Sequence, residues 1–582
     1  MKCALVSEPL TGQTKITDIS IRTIRLSQFD FPLIPILIVG FTLRMIGIGV
    51  GLPDYPDPRE PLIAQDILNL IHLKAPPEIY NWPGTAWFYL VAVLGKSLEI
   101  VGVNLTISHI IWLARFTNVL LSTVTIWLTY QIGIRFYSHS VGRIAAALLA
   151  VTMLHATNES RFALVDIPAT FCVTLLLWLC AKGQSVSFRR AVWLGGIAGM
   201  SFAVKFTTAF AGLSVVVLLQ RQRICTSESI PNFIGLRENG KEGNEETKGN
   251  GRELICVQFL TKLAIVIGVA ALSFTVICPY WLIDLFSPKW NRFFEAFFYE
   301  ASHYRKGHFG LFATGEINWL NRLTYLWTLL RWGMGVPLAL LSIVGLCVAI
   351  ADRKNGDKIL LAFVLPYLLF VGSHKLKFVR HLLPIYPALT ICVAASAGKI
   401  WDILARGNHK LKWGKGVVIT VVCAVLIYSL AYTTSFAKIM ATPPTMVEAA
   451  EWIEANIPPE EEIEREPDIL FDWLLPELNR GYTDERATWV LVLMPNAEVF
   501  MKYAENPASY SAIDWHPLEE EPELESLVEF YEQIFRADSP YELVKTFRRR
   551  PSFLGLRISD RGAPFPMRAL LHPEIGIYRL QE

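Results

Sequence analysis

Carboxylates and cations gather in a few short stretches of an otherwise apolar chain. The stretch "LPDYPDPREPLIAQDIL", Leu52–Leu68, sets Asp54, Asp57, Arg59 and Glu60 among prolines, directly after a hydrophobic run. Further along come Arg161 and Asp166 in "NESRFALVDIPATF" and Lys205 in "FAVKFTTAF". Tyr304, Arg305, Lys306 and His308 follow in "HYRKGHFG", then Lys375, Lys377 and Arg380 in "SHKLKFVRHLLP". A carboxylate can take the proton of an attacking hydroxyl, and lysines and arginines can hold a phosphate as charge develops on it. Charge inside a bilayer costs about 2.5–3.5 kcal/mol per residue on insertion scales, so each of these residues is a functional candidate. Plainer roles compete. Asp57 and Glu60 would suit the positive end of a helix opened by Pro58 and Pro61. Asp166 would cap the next helix with Arg161, Lys205 would snorkel to the headgroups, and His308 would belong to a turn. No metal is indicated: His303 and His308 lack partners at ligand spacing, and a divalent ion would need Asp57, Glu60 and Asp166 brought together.

The elements that must position these groups are membrane helices. The chain of 582 residues is 52% hydrophobic and 18% charged, with a mean hydropathy of +0.37, too oily for an ordinary soluble enzyme. Its net charge of +2 is a near-cancellation, which argues against a nucleic-acid partner. Cys172, Cys180, Cys278, Cys347, Cys392 and Cys423 lie in apolar runs and no cysteine follows, which excludes a disulfide-framed ectodomain. The polar start "MKCALVSEPLTGQTKITDIS" lacks the features of a cleaved signal, so the first span is expected to stay as an anchor. Apolar runs long enough to span lie at about 31–52, 109–133, 140–157, 163–181, 190–204, 206–220, 258–284, 330–351, 358–373, 379–399 and 416–436. "NWPGTAWFYLVAVLGKSLEIVG", Asn81–Gly102, reads as a helix lying along the interface. With that helix not spanning, nearly every basic short loop falls on the cytoplasmic side, which puts the N-terminus inside and the C-terminus outside. The exception is Lys375, Lys377 and Arg380, which then sit outside and call for an anion.

The expected fold class is a polytopic α-helical membrane protein of about eleven transmembrane helices plus juxtamembrane helices, with a small C-terminal extramembrane α/β domain. The membrane part is expected over 1–436, with an outer loop at about 53–108, a disordered cytoplasmic loop at about 221–257 and an outer lid loop at about 285–329. In 437–582, "PTMVEAAEWIEANIP" and "ELESLVEFYEQIF" predict helices and "ATWVLVLM" a buried strand.

With these residues in order, the chain resembles the GT-C type membrane glycosyltransferases, in particular the protein O-mannosyltransferase and aminoarabinose transferase branch (family 39-like, dependent on a phospholipid carrier). Four stretches carry the resemblance: "YPDPREPLIAQDIL", similar to the family's His-Pro-Asp-Glu-Pro-like box; "NWPGTAWFYLVAVLG" with the "LARFTNVLLSTVTIWLTYQ" that follows; "RFALVDIPATF"; and "SHKLKFVRHLLPIYPALTI". The resemblance implies an inverting transfer of a sugar from a polyprenyl-phosphate carrier to an acceptor hydroxyl on a protein, glycolipid or polysaccharide, at the outer face of the membrane. It implies Asp57 as base and Glu60 as positioning residue or alternative base. It further implies Asp166, Lys205, Lys375, Lys377 and Arg380 on the donor side, with Tyr304 and His308 lining a lid. The box departs from the family pattern: in one register Arg59 takes the aspartate position, in the other Asp57 takes it and the adjacent glutamate is lost. Two other classes compete: a transporter or flippase of a lipid-linked anion, disfavoured because the charges gather at one boundary rather than at the midplane, and a catalytically silent lipid-binding scaffold.

Overall fold

The computed structural model describes residues 30–581 apart from 54–56, 58, 78–82, 159, 184, 234–244, 288–291, 307–318, 375–377, 407–411, 466–486, 506–523 and 570–571. Asp54, His308, Lys375 and Lys377 therefore lie outside the described residues, as does the side chain of Arg305.

The chain opens with α1 (Leu33–Met45), α2 (Arg59–Ile71), α3 (Thr85–Ile100) and the long α4 (Ile107–Phe136), followed by α5 (His139–Ala150), α6 (Asp166–Ala181) and α7 (Phe188–Val204). Polar caps set several of these starts. Thr106 and His109 form a reciprocal capping box on α4, and Ser138 and Ser187 accept backbone N–H groups at the heads of α5 and α7. Next come α8 (Gly212–Phe233), α9 (Glu245–Ile277), α10 (Tyr280–Phe286), α11 (Arg292–Lys306), α12 (Trp319–Met334), α13 (Val336–Asp352), α14 (Asn355–Ser373), α15 (Tyr386–Arg406) and α16 (Lys412–Met440). Five helical stretches, Ile107–Phe136, Cys256–Ile277, Asn355–Ser373, Val379–Ala405 and Gly414–Asn456, are long and apolar enough to cross a membrane, and four shorter apolar helices join them. The molecule is a polytopic α-helical membrane protein.

The main core gathers buried side chains from α4, α5, α6, α14 and α15, among them Ile126, Leu149, Leu177, Phe363 and Leu389. A second cluster at one end of the bundle packs α2 and α3 on α4, through Ile63, Ile67, Trp87, Phe88 and Ile110, with Met440 at the end of α16. There Gly47, at φ +75, admits the last turn of α16: a Cβ on it would stand 2.4 Å from the Met440 carbonyl oxygen.

After α16, α17 (Thr445–Asn456) leads into a four-stranded sheet of order β1-β2-β6-β3, from β1 (Ile463–Arg465), β2 (Trp489–Leu493), β3 (Tyr541–Phe547) and β6 (Ile575–Leu580). β1 and β2 run parallel and the other pairs antiparallel. β2 is buried on both faces: Trp489, Leu491 and Leu493 pack with Met446 and Ile453 of α17, while Val490 and Val492 pack with Phe500 and Tyr531. A small hairpin, β4 (Ser552–Phe553) and β5 (Leu556–Arg557), rests on α16, and Ile558, Ala563 and Met567 beyond it join the main membrane core.

Several boundaries differ from the expected runs for local reasons. The run at 140–157 stops as a helix at Ala150 and resumes as a π turn, Leu154–Asn158, where Thr152 turns its hydroxyl back onto the Leu148 carbonyl. The run at 206–220 begins as a 3-10 turn, Phe206–Ala211, because Lys205 leaves the helix in extended geometry. Pro279, which has no N–H to donate, separates α9 from α10 within 258–284. The expected loop at 221–257 is narrower, since α8 runs to Phe233 and α9 begins at Glu245. The lid stretch holds two helices, α11 and α12.

Between α7 and α9 the contact is backbone to backbone. A Cβ on Gly195 would meet the Val266 carbonyl oxygen at 2.6 Å, and one on Gly199 the Ala270 oxygen at 2.2 Å, the close approach that small residues permit between membrane helices. Gly196, one position round the helix, faces open space. Gly199→Val is therefore expected to lower stability by about 1–3 kcal/mol through overpacking, and Gly196→Val to leave it unchanged. Thermal unfolding of the detergent-solubilised protein checks this, and equal midpoints for the two variants would refute the α7–α9 packing.

Candidate active site

Asp57 and Glu60 stand where the chain enters α2, and they have different surroundings. Glu60 is fully buried against an equally buried Arg115 of α4. Arg115 donates from Nε to Glu60 Oε1 at 2.8 Å and from Nη2 to Oε2 at 2.5 Å, while its Nη1 reaches the carbonyls of Ile48 and Val50 at 2.8 Å each. The Glu60 oxygens also accept the backbone N–H groups of Asp57 at 3.0 Å and Ala163 at 2.6 Å. The pair holds together the exit of α1, the head of α2, α4 and the loop before α6. Asn118, one turn along α4 from Arg115, fastens the same loop by donating to the carbonyls of Phe162 and Leu164.

The Asp57 side chain is as buried as that of Glu60, but its partner is not. Arg59 grips it through Nε–Oδ1 and Nη2–Oδ2, both 2.8 Å, but the Arg59 side chain is 25% exposed. Burial works against the Asp57 charge, and Arg59, by its charge and its hydrogen bonds, overcomes it and holds the carboxyl below the ordinary carboxylate range. The residue that departs from the box at position 59 thus neutralises the neighbouring candidate base.

Three residues from Ala163, Asp166 opens α6 and meets two cations. Lys205 Nζ lies 2.6 Å from Asp166 Oδ1, and Arg380 Nε lies 3.9 Å from Oδ2. Arg161, the partner suggested by sequence, instead donates to the carbonyls of Thr157 and Leu43. Lys205 occupies the break after α7, where the chain turns away and α3 is pinned alongside: Gly84 N–H and the Thr85 hydroxyl reach the carbonyls of Val204 and Ala203. Burial disfavours the Lys205 charge, but Asp166, aided by Tyr367 and Glu300, outweighs this and keeps the ammonium protonated beyond its ordinary range. Arg380 sits in the 3-10 turn Val379–Ile385, its guanidinium 4.1 Å from the centre of the Phe378 ring. Tyr304, on α11, stacks on His374 at 4.4 Å between ring centres and meets His381 edge-on at 5.6 Å. One turn earlier on α11, Glu300 hydrogen-bonds Tyr304, and burial pushes its carboxyl above the ordinary range despite Tyr304 and Lys205.

Asp57 and Glu60 therefore form one group and Asp166, Lys205, Arg380 and Tyr304 a second, joined through the loop at Ala163. Arg115, Glu300 and Arg44 escaped sequence reasoning. Each left a signal: Arg115 and Arg44 are lone arginines in apolar runs, and Glu300 is four residues from Tyr304 on an amphipathic helix. Arg44 is fully buried, bonding Ser122 Oγ at 2.5 Å, His155 Nδ1 at 2.6 Å and the carbonyls of Gly40 and Ala150. Among the described residues no group of three or more His, Cys, Asp or Glu side chains is placed to hold a metal ion.

Comparison with known proteins gives one family and several structures. No curated protein matches the chain. The structure of ArnT from Cupriavidus metallidurans bound to undecaprenyl phosphate is 11% identical, over 94% of this chain and 97% of that one, with a TM-score of 0.48. Its apo form is 13% identical over 81% and 94%, also with a TM-score of 0.48. The archaeal oligosaccharyltransferase AglB from Archaeoglobus fulgidus, in complex with an inhibitory peptide and a dolichol-phosphate, is 11% identical over 91% and 75%, with a TM-score of 0.46. Over residues 100–236, a stretch that contains Arg115, Asp166 and Lys205 and begins after the Asp57–Glu60 box, the chain is similar to the dolichyl-phosphate-mannose-protein mannosyltransferases.

Proposed function

We propose that the protein is an inverting glycosyltransferase that moves a sugar from a polyprenyl-phosphate carrier to an acceptor hydroxyl at the outer face of the membrane, with its N-terminus cytoplasmic. The observation that carries this reading is the convergence of Lys205 and Arg380 on the single carboxylate of Asp166, beside a Glu300 that burial moves toward its neutral form. These two cations on one carboxylate stand beside a loop that Glu60 ties to Asp57, so a candidate phosphate clamp and a candidate base are linked through one loop. The family match, and the undecaprenyl phosphate and dolichol-phosphate carried by the ArnT and AglB structures, support the same choice of donor.

In the reaction, the acceptor oxygen attacks the anomeric carbon from the face opposite the phosphate. The carbon–oxygen bond to phosphate breaks, the acceptor proton passes to Asp57, and the polyprenyl phosphate leaves with the bonding pair. Lys205 and Arg380 stabilise that charge as it forms. Asp57 is ionised at neutral pH and can accept a proton once Arg59 releases it toward solvent. Glu60, fixed by Arg115, positions the loop. Tyr304 lines the lid side, and Lys375, Lys377 and His308 complete the set expected from the resemblance. The bidentate hold of Arg59 on Asp57 favours one second reading, a lipid-binding scaffold without catalysis.

Asp57→Asn separates the two. In proteoliposomes supplied with a labelled polyprenyl-phosphate sugar, the substitution is expected to cut transfer by about 10²–10⁴-fold with only the small fall in thermal midpoint that loss of the Arg59 pair brings, whereas undiminished transfer would remove Asp57 as base. Glu60→Gln should behave in the opposite way, costing about 3–5 kcal/mol because it leaves Arg115 charged and buried; a midpoint equal to wild type would show that the pair does not organise the fold. Arg380→Ala should weaken binding of polyprenyl phosphate by about 10–100-fold, the loss of one charge-assisted contact, and titration with the radiolabelled lipid measures it. Unaltered affinity would place the phosphate elsewhere.

A further inference from the structure

Away from the candidate active site, the end of α16 and the loop after β3 enclose a second cationic feature. Arg548, Arg549, Arg550, Ser552 and Arg557, with Ser435, Lys438 and Ile439 of α16 and Thr442 just beyond it, line a cavity of about 480 Å³ whose wall has no carboxylate among the described residues. Two of the arginines are structural: Arg548 pairs with Glu574 at 3.0 Å and Asp560 at 3.5 Å, and Arg549 pairs with Glu448. Lys438, Arg550 and Arg557 are exposed and form no ion pair among the described residues.

An apolar feature adjoins these cations. The β4–β5 hairpin turns at Leu554 and Gly555, both at positive φ, and presents Leu554 and Leu556 at 88% and 75% exposure. The hairpin rests on α16, and the chain just beyond it packs into the core of the membrane helices, so the two leucines stand at the edge of the bundle rather than out in the aqueous part. Three unneutralised cations in a cavity beside a pair of bare leucines, at the end of a membrane helix, match an amphiphile with an anionic head.

We propose that this cavity binds the phosphate of an anionic glycerophospholipid of the surrounding leaflet, through Lys438, Arg550 and Arg557, with the acyl chains alongside Leu554 and Leu556. The lipid seats the C-terminal region on the membrane. The site stands apart from sugar transfer and does not rest on that reading.

The test uses the full-length protein in detergent and native mass spectrometry, titrated separately with dioleoylphosphatidylglycerol, dioleoylphosphatidylcholine and inorganic phosphate. Phosphatidylglycerol is expected to bind more tightly than phosphatidylcholine. The double variant Arg550→Glu/Arg557→Glu should lose at least about tenfold in that affinity. Lys502→Glu, a charge reversal at an exposed position of the helix Met494–Glu505 outside the cavity, should lose nothing. Arg550→Gln/Arg557→Gln, which introduces no new charge, should fall between, and its thermal midpoint should equal that of wild type. The proposal is overturned if both double variants bind phosphatidylglycerol as wild type does, or if the two lipids bind equally. Displacement of phosphatidylglycerol by inorganic phosphate would overturn it too, since the site would then belong to a soluble anion.

Discussion

The buried pair of Glu60 and Arg115 is the constraint on which the described site depends. Removing two charges from water costs several kcal/mol each, and their attraction repays that only when every remaining donor and acceptor is used. Here the pair is further bonded to four backbone groups in three parts of the chain: the carbonyls of Ile48 and Val50, and the N–H groups of Asp57 and Ala163. Such a pair contributes little net stability compared with an apolar core. Its value is positional, because only one arrangement of the α1 exit, the α2 head and the loop before α6 satisfies it. Asp57 and Asp166 inherit their places from it.

The two acids also illustrate how burial and partners divide roles among like residues. Glu60 and Asp57 are three positions apart and both are shielded, yet one faces an arginine on a neighbouring helix with no exposed surface and the other an arginine two residues away that reaches solvent. The first arrangement cannot open without breaking the packing, while the second can open by rotation of one side chain. At Asp166 the balance reverses, and the carboxylate organises the cations: Lys205 keeps its proton despite burial because Asp166 lies beside it.

Much of the architecture was legible because hydropathy and periodicity are local properties. The strand Trp489–Leu493 and the helices Thr445–Asn456 and Leu524–Phe535 fall where a short continuous apolar run and helical spacing put them. Hydropathy could not register the interruptions at Thr152, Lys205 and Pro279, since a run remains apolar whether or not its backbone stays helical. Within the site, Asp166, Lys205 and Arg380 were found as costly charges, but their mutual pairing is long-range and leaves no mark on spacing; Arg161 was the nearer and mistaken partner. Arg115 lies within an apolar stretch, and a lone arginine in a helix shows its cost in the sequence and its partner only in the fold. Lys375, Lys377 and His308 fall outside the described residues.

The meeting of Gly47 with Met440 has a consequence for biogenesis. The exit of α1, which leaves the ribosome early, is packed against the last turn of α16. Until α16 has been made and inserted, the end of the bundle that carries the Asp57 stretch lacks one wall, and Met440 is missing from the apolar cluster beneath α2 and α3. Chains truncated before that point would hold the charged groups of the site without their cover, which gives cellular quality control a physical means of telling finished from unfinished molecules.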